Sequence, residues 1–252
     1  MARYDFRSPR LFVEAPLADG AEITLGASQA NYLVNVLRLK AGDAVLLFNG
    51  RDGEWRAELS APRKKAVTLT VGERMRAQAA PGDLDYLFSP LKHARLDYMV
   101  QKAVEMGVSR LQPVIMRHTQ AERVNLARMR ANAVEAAEQC GVLAIPEIAD
   151  PRKLDAVIRG WKADRLLVFC DEEAGVKDPV AALSSARTGG ITGRLPVSVV
   201  IGPEGGFADN ERAALLKLPN VLRLALGPRI LRADTAAVAA LTLVQTALGD
   251  WR

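Results

Sequence analysis

Three apolar runs in the C-terminal half of the sequence break off into short stretches rich in glycine and charge. RLLVFC is followed by Asp171-Glu172-Glu173-Ala174-Gly175, PVSVVIG by Pro203-Glu204-Gly205-Gly206-Phe207, and VLRLAL by GPRILRADT, Gly227 to Thr235. Glycine adopts backbone angles closed to other residues and lets main-chain amides approach a ligand closely. The Gly-Pro pairs at 202–203 and 227–228 stiffen the exits from two of the runs. The second stretch does not read as a phosphate cradle. No Gly-Lys-Ser/Thr and no G-x-G-x-x-G is present, and Glu204 sits where repulsion of a phosphate would be worst. That absence disfavours a nucleotide-phosphate-binding oxidoreductase. The acid suits a cationic or neutral ligand; in a purely structural turn it would favour the N-terminus of the next helix. In the third stretch, Arg229 and Arg232 bracket Ile230 and Leu231, and Asp234, a common helix-capping residue type, opens TAAVAALTLVQTALG. A helix apolar almost all round is buried on nearly every side, and a second copy of the chain is the expected cover.

These stretches need a scaffold. Around them short apolar runs alternate with helical spacing over roughly 94–107, 125–141, 208–217 and 234–250. Strands buried on both faces and separated by helices predict a parallel α/β sheet, in which ligands sit at the carboxyl ends of the strands. At the start of the third helix Ala208 stands where a capping Ser would pair with Glu211, so Asp209 or Asn210 is expected to cap it. Residues 10 to 72 have a different rhythm. RLFVEA, AVLLFNGRDGEWRAEL and AVTLTVG read as short strands with Asn49-Gly50 and Asp52-Gly53 turns, and SQANYLVNVLRL places Leu33, Val36 and Leu37 at helical spacing. The expectation is a β-barrel-like module over 1–72, a polar Pro-Gly linker over 73–83 and an α/β domain over 84–252.

Composition narrows the class. Apolar residues make up 49% of the 252, enough to fill a core. No run of about 18 apolar residues occurs, and MARYDFRSPR lacks the apolar stretch of a signal peptide, so a soluble, cytoplasmic protein is expected, with no membrane partner. Two cysteines, Cys140 and Cys170, and two histidines argue against a metal site; two buried thiols are expected. Lys and Arg number 34 against 29 Asp and Glu, a net charge of +5. The basic residues cluster at Arg3, Arg7 and Arg10, at Arg63, Lys64 and Lys65, and at Arg74 and Arg76. Such clusters favour a polyanionic partner, nucleic acid above others.

IGPEGGF, LGPRILRADTA, QKAVEMGV and EAAEQCG, with RLFVE and YLVNVLRLKAGD in the N-terminal part, closely resemble the ribosomal RNA small-subunit methyltransferase E family. The resemblance covers nearly the whole chain. It implies an α/β-knot (SPOUT, trefoil-knotted) methyltransferase domain behind a PUA-like RNA-binding barrel, a homodimer formed through the knotted domains, and methylation of N3 of a uridine in 16S rRNA of the small ribosomal subunit. A knot departs from the usual unthreaded connections and is implied by the resemblance alone. S-adenosylmethionine is the implied cofactor, on Ile201, Gly202, Gly205, Leu226, Gly227, Ile230, Leu231, Thr235 and Ala236. Its cationic sulfonium is compatible with Glu204. The chain departs from the family at Tyr32 (commonly His), Cys140 and Ala208 (commonly Ser) and Asp234 (commonly Glu). A related knot enzyme acting on another nucleoside, such as a tRNA ribose, and a non-catalytic RNA-binding assembly factor are the competing readings.

Uracil N3 must lose its proton to become a nucleophile. Neither His93 nor His118 lies in a ligand loop, which leaves Glu204 and Asp234 as candidate bases, and Arg232 is expected to stabilise the developing anion. RNA contacts are expected from Arg10, Arg38 and Lys40 on the barrel and from Lys102 and Arg123 nearer the site, with salt-sensitive binding. The target uridine must be unstacked before N3 is reached.

Overall fold

The computed structural model describes residues 5, 7–60, 67–92, 94–121, 123–175, 178–186 and 195–251. Arg3, the Arg63-Lys64-Lys65 patch and His93 lie outside the described residues. The chain divides into two compact units, Met1–Ala80 with Ala137–Ala144, and Pro81–Ala136 with Ile145–Arg252.

In the first unit, β1 (Arg10–Phe12), β2 (Glu22–Thr24), β3 (Ala44–Phe48), β4 (Glu54–Leu59) and β5 (Thr68–Arg76) form one sheet in the order β1-β3-β4-β5-β2. β1 runs parallel to β3 and the other pairs are antiparallel. The β3–β4 hairpin turns on Gly50 and Gly53, both at positive φ, as the Asn-Gly and Asp-Gly signals predict. Leu33, Val45, Leu47, Ala57, Leu69 and Val71 are the centre of the core. The expected helix is only partly regular: α1 (Ala27–Asn31) passes into a π-helical turn, Tyr32–Val36. The wider turn breaks the 3.6-residue register, so Leu33 is buried while Val36 is 60% exposed. Tyr32, the departure from the family's His, packs against the core.

The linker expected from residue 73 begins inside β5, which continues to Arg76. The reason is electrostatic. Glu54 is 2% exposed; its Oε1 accepts from Arg10 Nε at 2.9 Å and from Arg76 Nη2 at 2.7 Å, and its Oε2 from Arg76 Nε at 2.7 Å. A buried carboxylate needs such compensation, and it draws the charged end of β5 onto the sheet. Arg10 is therefore spent inside this unit at 8% exposure, not presented to RNA as expected.

In the second unit, β6 (Leu84–Phe88), β7 (Arg110–Ile115), β8 (Glu147–Ile148), β9 (Arg152–Lys153), β10 (Leu166–Cys170), β11 (Val197–Ile201) and β12 (Val221–Leu224) are parallel, in the order β12-β10-β11-β6-β7-β8 with β9 on β7. Every residue of β11 is buried, as a strand covered on both faces requires. Helices α2 (Ala94–Glu105), α3 (Leu126–Cys140, whose residues from 137 on belong to the first unit), α6 (Asp209–Leu215) and α7 (Ala233–Ala247) occupy the expected stretches, joined by α4 (Leu154–Arg159) and α5 (Pro179–Ala186). The first turn of α6 differs from expectation. Ala208 is the N-cap, and Glu211 reaches back to accept the Ala208 N–H at 3.1 Å, leaving Asp209 and Asn210 with no capping role.

The apolar α7 packs on α2, α5 and β11 of its own chain, which bury Ala236, Ala237, Ala240, Leu241 and Val244. Much of the cover expected from a second copy is thus supplied internally. Cys140, expected to be buried, is exposed at the end of α3, and Cys170 is half-buried; neither forms a disulfide. No helix among the described residues is long and apolar enough to cross a membrane.

Candidate active site

β10, β11 and β12 are neighbours, so their carboxyl ends bring the three glycine-rich stretches to one edge of the sheet. They enclose a cavity of about 350 Å³. Asp171 is the first residue beyond β10 and is 2% exposed. Its carboxylate accepts from Arg223 of β12 (Nε 2.9 Å, Nη2 2.6 Å) and pairs with Arg212 of α6 at 3.2 Å. Its N–H donates to Leu224 O at 3.0 Å. One buried acid thereby ties together the exits of two strands and the helix that follows the third. Beside it, burial pushes the Cys170 thiol up to about 12, so this half-exposed residue presents a neutral thiol and no thiolate nucleophile.

The loop after β11 has its own lock. Gly202 faces Phe207 so closely that a Cβ would stand 2.5 Å from the ring, and Phe207 packs edge-on against Phe169 of β10 with centroids 4.9 Å apart. Only a residue without a side chain allows this strand exit and the ring to share the space. Gly206 and Gly227 take positive φ, 74° and 99°. His118 lies outside the loop in sequence but beside it in space, its Nδ1 3.1 Å from Gly206 O.

Of the expected cofactor residues, Ile201, Gly202, Leu226, Gly227, Ile230, Leu231 and Ala236 line the cavity. Gly205 and Thr235 do not; Gly205 packs towards His118, and Thr235 is exposed on α7. Among the candidate catalytic groups, Glu204 and Arg232 line it and Asp234 does not. Arg232 is the N-cap residue of α7, with no side-chain cap. Asp234 lies two residues further in, within the first turn, and its Oδ1 accepts the Thr235 N–H at 2.9 Å, so it is not the cap its residue type suggested. Glu204 is paired with Arg95 of α2 at 2.5 Å, with both side chains partly exposed. The acid expected to face a cation is therefore already neutralised in part by a residue 109 positions away.

Arg95, Pro203 and Glu204 also line a second cavity, of about 480 Å³, bounded by Ser89, Pro90 and Gln120. The two cavities share these three residues as a common wall. Arg95, Arg212 and Arg223 were not read from the sequence as site residues, because each acts through a partner distant in the chain; a lone arginine on a helix or a short strand carries no local signal. Of the expected RNA contacts, Arg38 is exposed in left-handed backbone (φ 58°) at the exit of the π-helical turn. Lys40 and Arg123 are exposed. Lys102 is engaged with Glu105 at 2.7 Å and lies over the Tyr98 ring.

Residues 78–245 match the family model for an RNA methyltransferase domain, and residues 25–72 match that for an RNA methyltransferase PUA domain. A ribosomal RNA small subunit methyltransferase E of Rickettsia conorii is 28% identical, covering 94% of each chain; the Bacillus subtilis protein of the same name is 26% identical over 93% of this chain and 95% of its own. Among solved structures, a Legionella pneumophila methyltransferase in complex with the cofactor SAM superposes with a TM-score of 0.81 at 28% identity, covering 96% of this chain and 98% of its own. A Neisseria gonorrhoeae ribosomal RNA small subunit methyltransferase E, at 24% identity and a TM-score of 0.83 over 98% and 100% of the two chains, shares the fold.

Proposed function

The chain belongs to the RNA methyltransferase domain family, with the α/β fold of the SPOUT class behind a PUA-like domain, and we propose that it methylates N3 of a specific uridine in 16S rRNA of the small ribosomal subunit. S-adenosylmethionine is the donor in this reading. The supporting observation is the cavity at the adjoining ends of β10, β11 and β12, in a chain whose relatives are named for small-subunit rRNA methylation. Its volume lies within the roughly 300–1,000 Å³ of small-molecule sites. Its apolar walls, Ile201, Leu226, Leu231 and Ala236, and its glycine-rich main chain fit a nucleoside-bearing ligand held largely by backbone groups. Asp171, the buried acid nearest it, is compensated by two arginines, so no unpaired buried charge opposes the fit. With the fold class we infer its trefoil-knotted threading.

S-adenosylmethionine, when bound, supplies a methyl group on a cationic sulfur that leaves with the C–S electron pair. What the chain must add is position and charge. The second cavity, walled off by Arg95, Pro203 and Glu204, is where we place the target uracil, extruded from its RNA stack. Glu204 lines both cavities and so stands beside the path from donor to acceptor, and we assign it the N3 proton. The N3 lone pair forms the new N–C bond, and the proton remains on the carboxylate until it reaches solvent. Exchange of Arg95 from Glu204 to the uracil anion would free the base as the charge develops. Arg232, on the cavity rim, adds a second cation to that charge. Asp234 is the alternative base; Glu204→Gln against Asp234→Asn separates them, with the larger loss of turnover expected for Glu204→Gln.

The first unit serves as the RNA-binding module, with Arg38 and Lys40 on phosphates, and Arg123 adds a contact from the second. We also propose a homodimer through the second unit. Ile230 is 94% exposed, and Val238 and Leu243 of α7 keep partial exposure, an apolar surface that a second copy would cover. Light scattering that finds a monomer overturns that state. A cytoplasmic location follows from the substrate.

The test incubates the protein with labelled S-adenosylmethionine and small subunits from cells lacking the modification, then analyses the digested RNA. 3-Methyluridine is the expected product. Label on another base or on ribose overturns the substrate, and absence of both binding and label leaves the assembly-factor reading.

A further inference from the structure

The opposite edge of the parallel sheet carries a second polar site that the strand-end loops do not explain. Interiors of parallel strands are normally apolar, yet four polar residues stand in register across this one. Ser198 of β11 pairs with Asp85 of β6, Asp85 with Arg110 of β7, and Arg110 with Glu147 of β8. In-register residues of neighbouring parallel strands share a face. The row lies at the amino ends of these strands and opens on a cavity of about 560 Å³, closed on its other side by the segment from α4 to β10. Every residue involved belongs to the second unit.

The acids in this cavity are engaged. Arg165 pairs with Asp83 and, at 3.5 Å, with Asp85; Arg110 pairs with Glu147 at 3.3 Å and stands 3.8 Å from Asp85. Burial nonetheless raises the Asp85 carboxyl above its usual range, against the pull of Arg165 and Arg110. Two buried polar atoms of residues lining this cavity have no hydrogen-bond partner among the described residues: Ser198 Oγ, on a fully buried residue, and Trp161 Nε1. Both residues line the cavity. An indole N–H can only donate, so it asks for an acceptor and rejects a bare cation. Lys162, next in the chain, and Arg152, whose Nη2 bonds Ala156 O at 2.9 Å and runs beside Gly160, complete the lining with positive charge.

We propose that this cavity is a second ligand site, remote from the strand-end loops, that takes a small acceptor-rich anion, a carboxylate or a phosphate, on Trp161, Ser198, Lys162 and Arg152. Orphaned donors in a cationic setting form charge-assisted bonds with such an oxyanion, while the three acids stay occupied by Arg110 and Arg165. The inference is independent of the methylation reading, since none of its residues lines the strand-end cavity.

Calorimetric titration of the full chain with inorganic phosphate and, separately, acetate, at constant ionic strength, tests it. One saturable site per chain is expected for at least one anion, and which one binds identifies the class. Trp161→Phe, which removes the donor but no charge, and Ser198→Ala should each weaken binding about tenfold, the scale of one hydrogen bond to a charged group. Lys162→Ala, on an exposed residue, should do the same without risk to folding. No saturable binding of either anion overturns the proposal. So does binding that Lys162→Ala and Trp161→Phe leave unchanged.

Discussion

Each unit holds a carboxylate, at 2% exposure, between two arginines. In the first, Glu54 on β4 is held by Arg10 of β1 and Arg76 of β5, all on strands of one sheet. In the second, Asp171 is held by Arg223 of β12 and Arg212 of α6, and it forms part of a cavity wall. The chemistry is the same and the carboxylates are equally buried. What differs is where the arginines come from. Partners on the strands of a sheet close that sheet; partners on elements that leave a site fix the loops between them. A buried ion triad is thus no marker of function by itself.

The largest effect should come from Glu54→Ala, which strands Arg10 in the interior. A loss of about 3–5 kcal/mol in chemical denaturation is expected, with cofactor affinity of the folded protein unchanged. Arg232→Ala should do the reverse: turnover falls about 10²-fold or more, roughly 3 kcal/mol of barrier, with no change in the unfolding midpoint, since its side chain caps nothing. Asp171→Ala lies between. Arg212 and Arg223 keep more solvent than Arg10 does, so the substitution should cost less stability, about 1–3 kcal/mol, and also weaken cofactor binding; a stability loss alone would reduce Asp171 to the role of Glu54.

The smallest effect is in acid, where the units should diverge. Asp52 in the first unit is held below its ordinary pKa by the Leu17 N–H and then the Asn49 amide. Its contribution is present above the unfolded value and is lost as pH falls through the folded one. Asp85 in the second is raised by burial, so its ionisation costs stability as pH rises from the unfolded value through the folded one, a window above that of Asp52, and mild acid relieves that cost. Hydrogen exchange followed on acidification through both windows should show second-unit amides gaining protection first, and first-unit amides losing it at lower pH. Asp52→Asn should flatten the first unit's response and Asp85→Asn the second's.

The second unit's framework was legible because its signals are local. β-branched runs ended by Gly-Pro announce strand exits, and helical spacing announces α2, α3 and α7. The ion pairs were not, because Arg10 with Glu54 and Arg95 with Glu204 meet across 44 and 109 residues, and only the register of a sheet or the packing of a helix decides that. Hence Arg10 read as a surface charge and Glu204 as an unpaired acid. The same holds for residues 73–76: their polarity suggested a linker, while their pairing with β4 made them strand. The polar row from Ser198 to Glu147 is spread over four strands and leaves no trace in any one of them.

The central claim is that the loops after β10, β11 and β12 hold the methyl donor. Calorimetry of S-adenosylmethionine against the wild type and Gly202→Ala tests it most directly, because a methyl group at 202 must displace Phe207 from the cavity wall. One site per chain in the wild type is predicted, weakened about tenfold or more in Gly202→Ala while the unfolding transition stays cooperative. Absence of binding in the wild type, or equal affinity in both proteins, would contradict it.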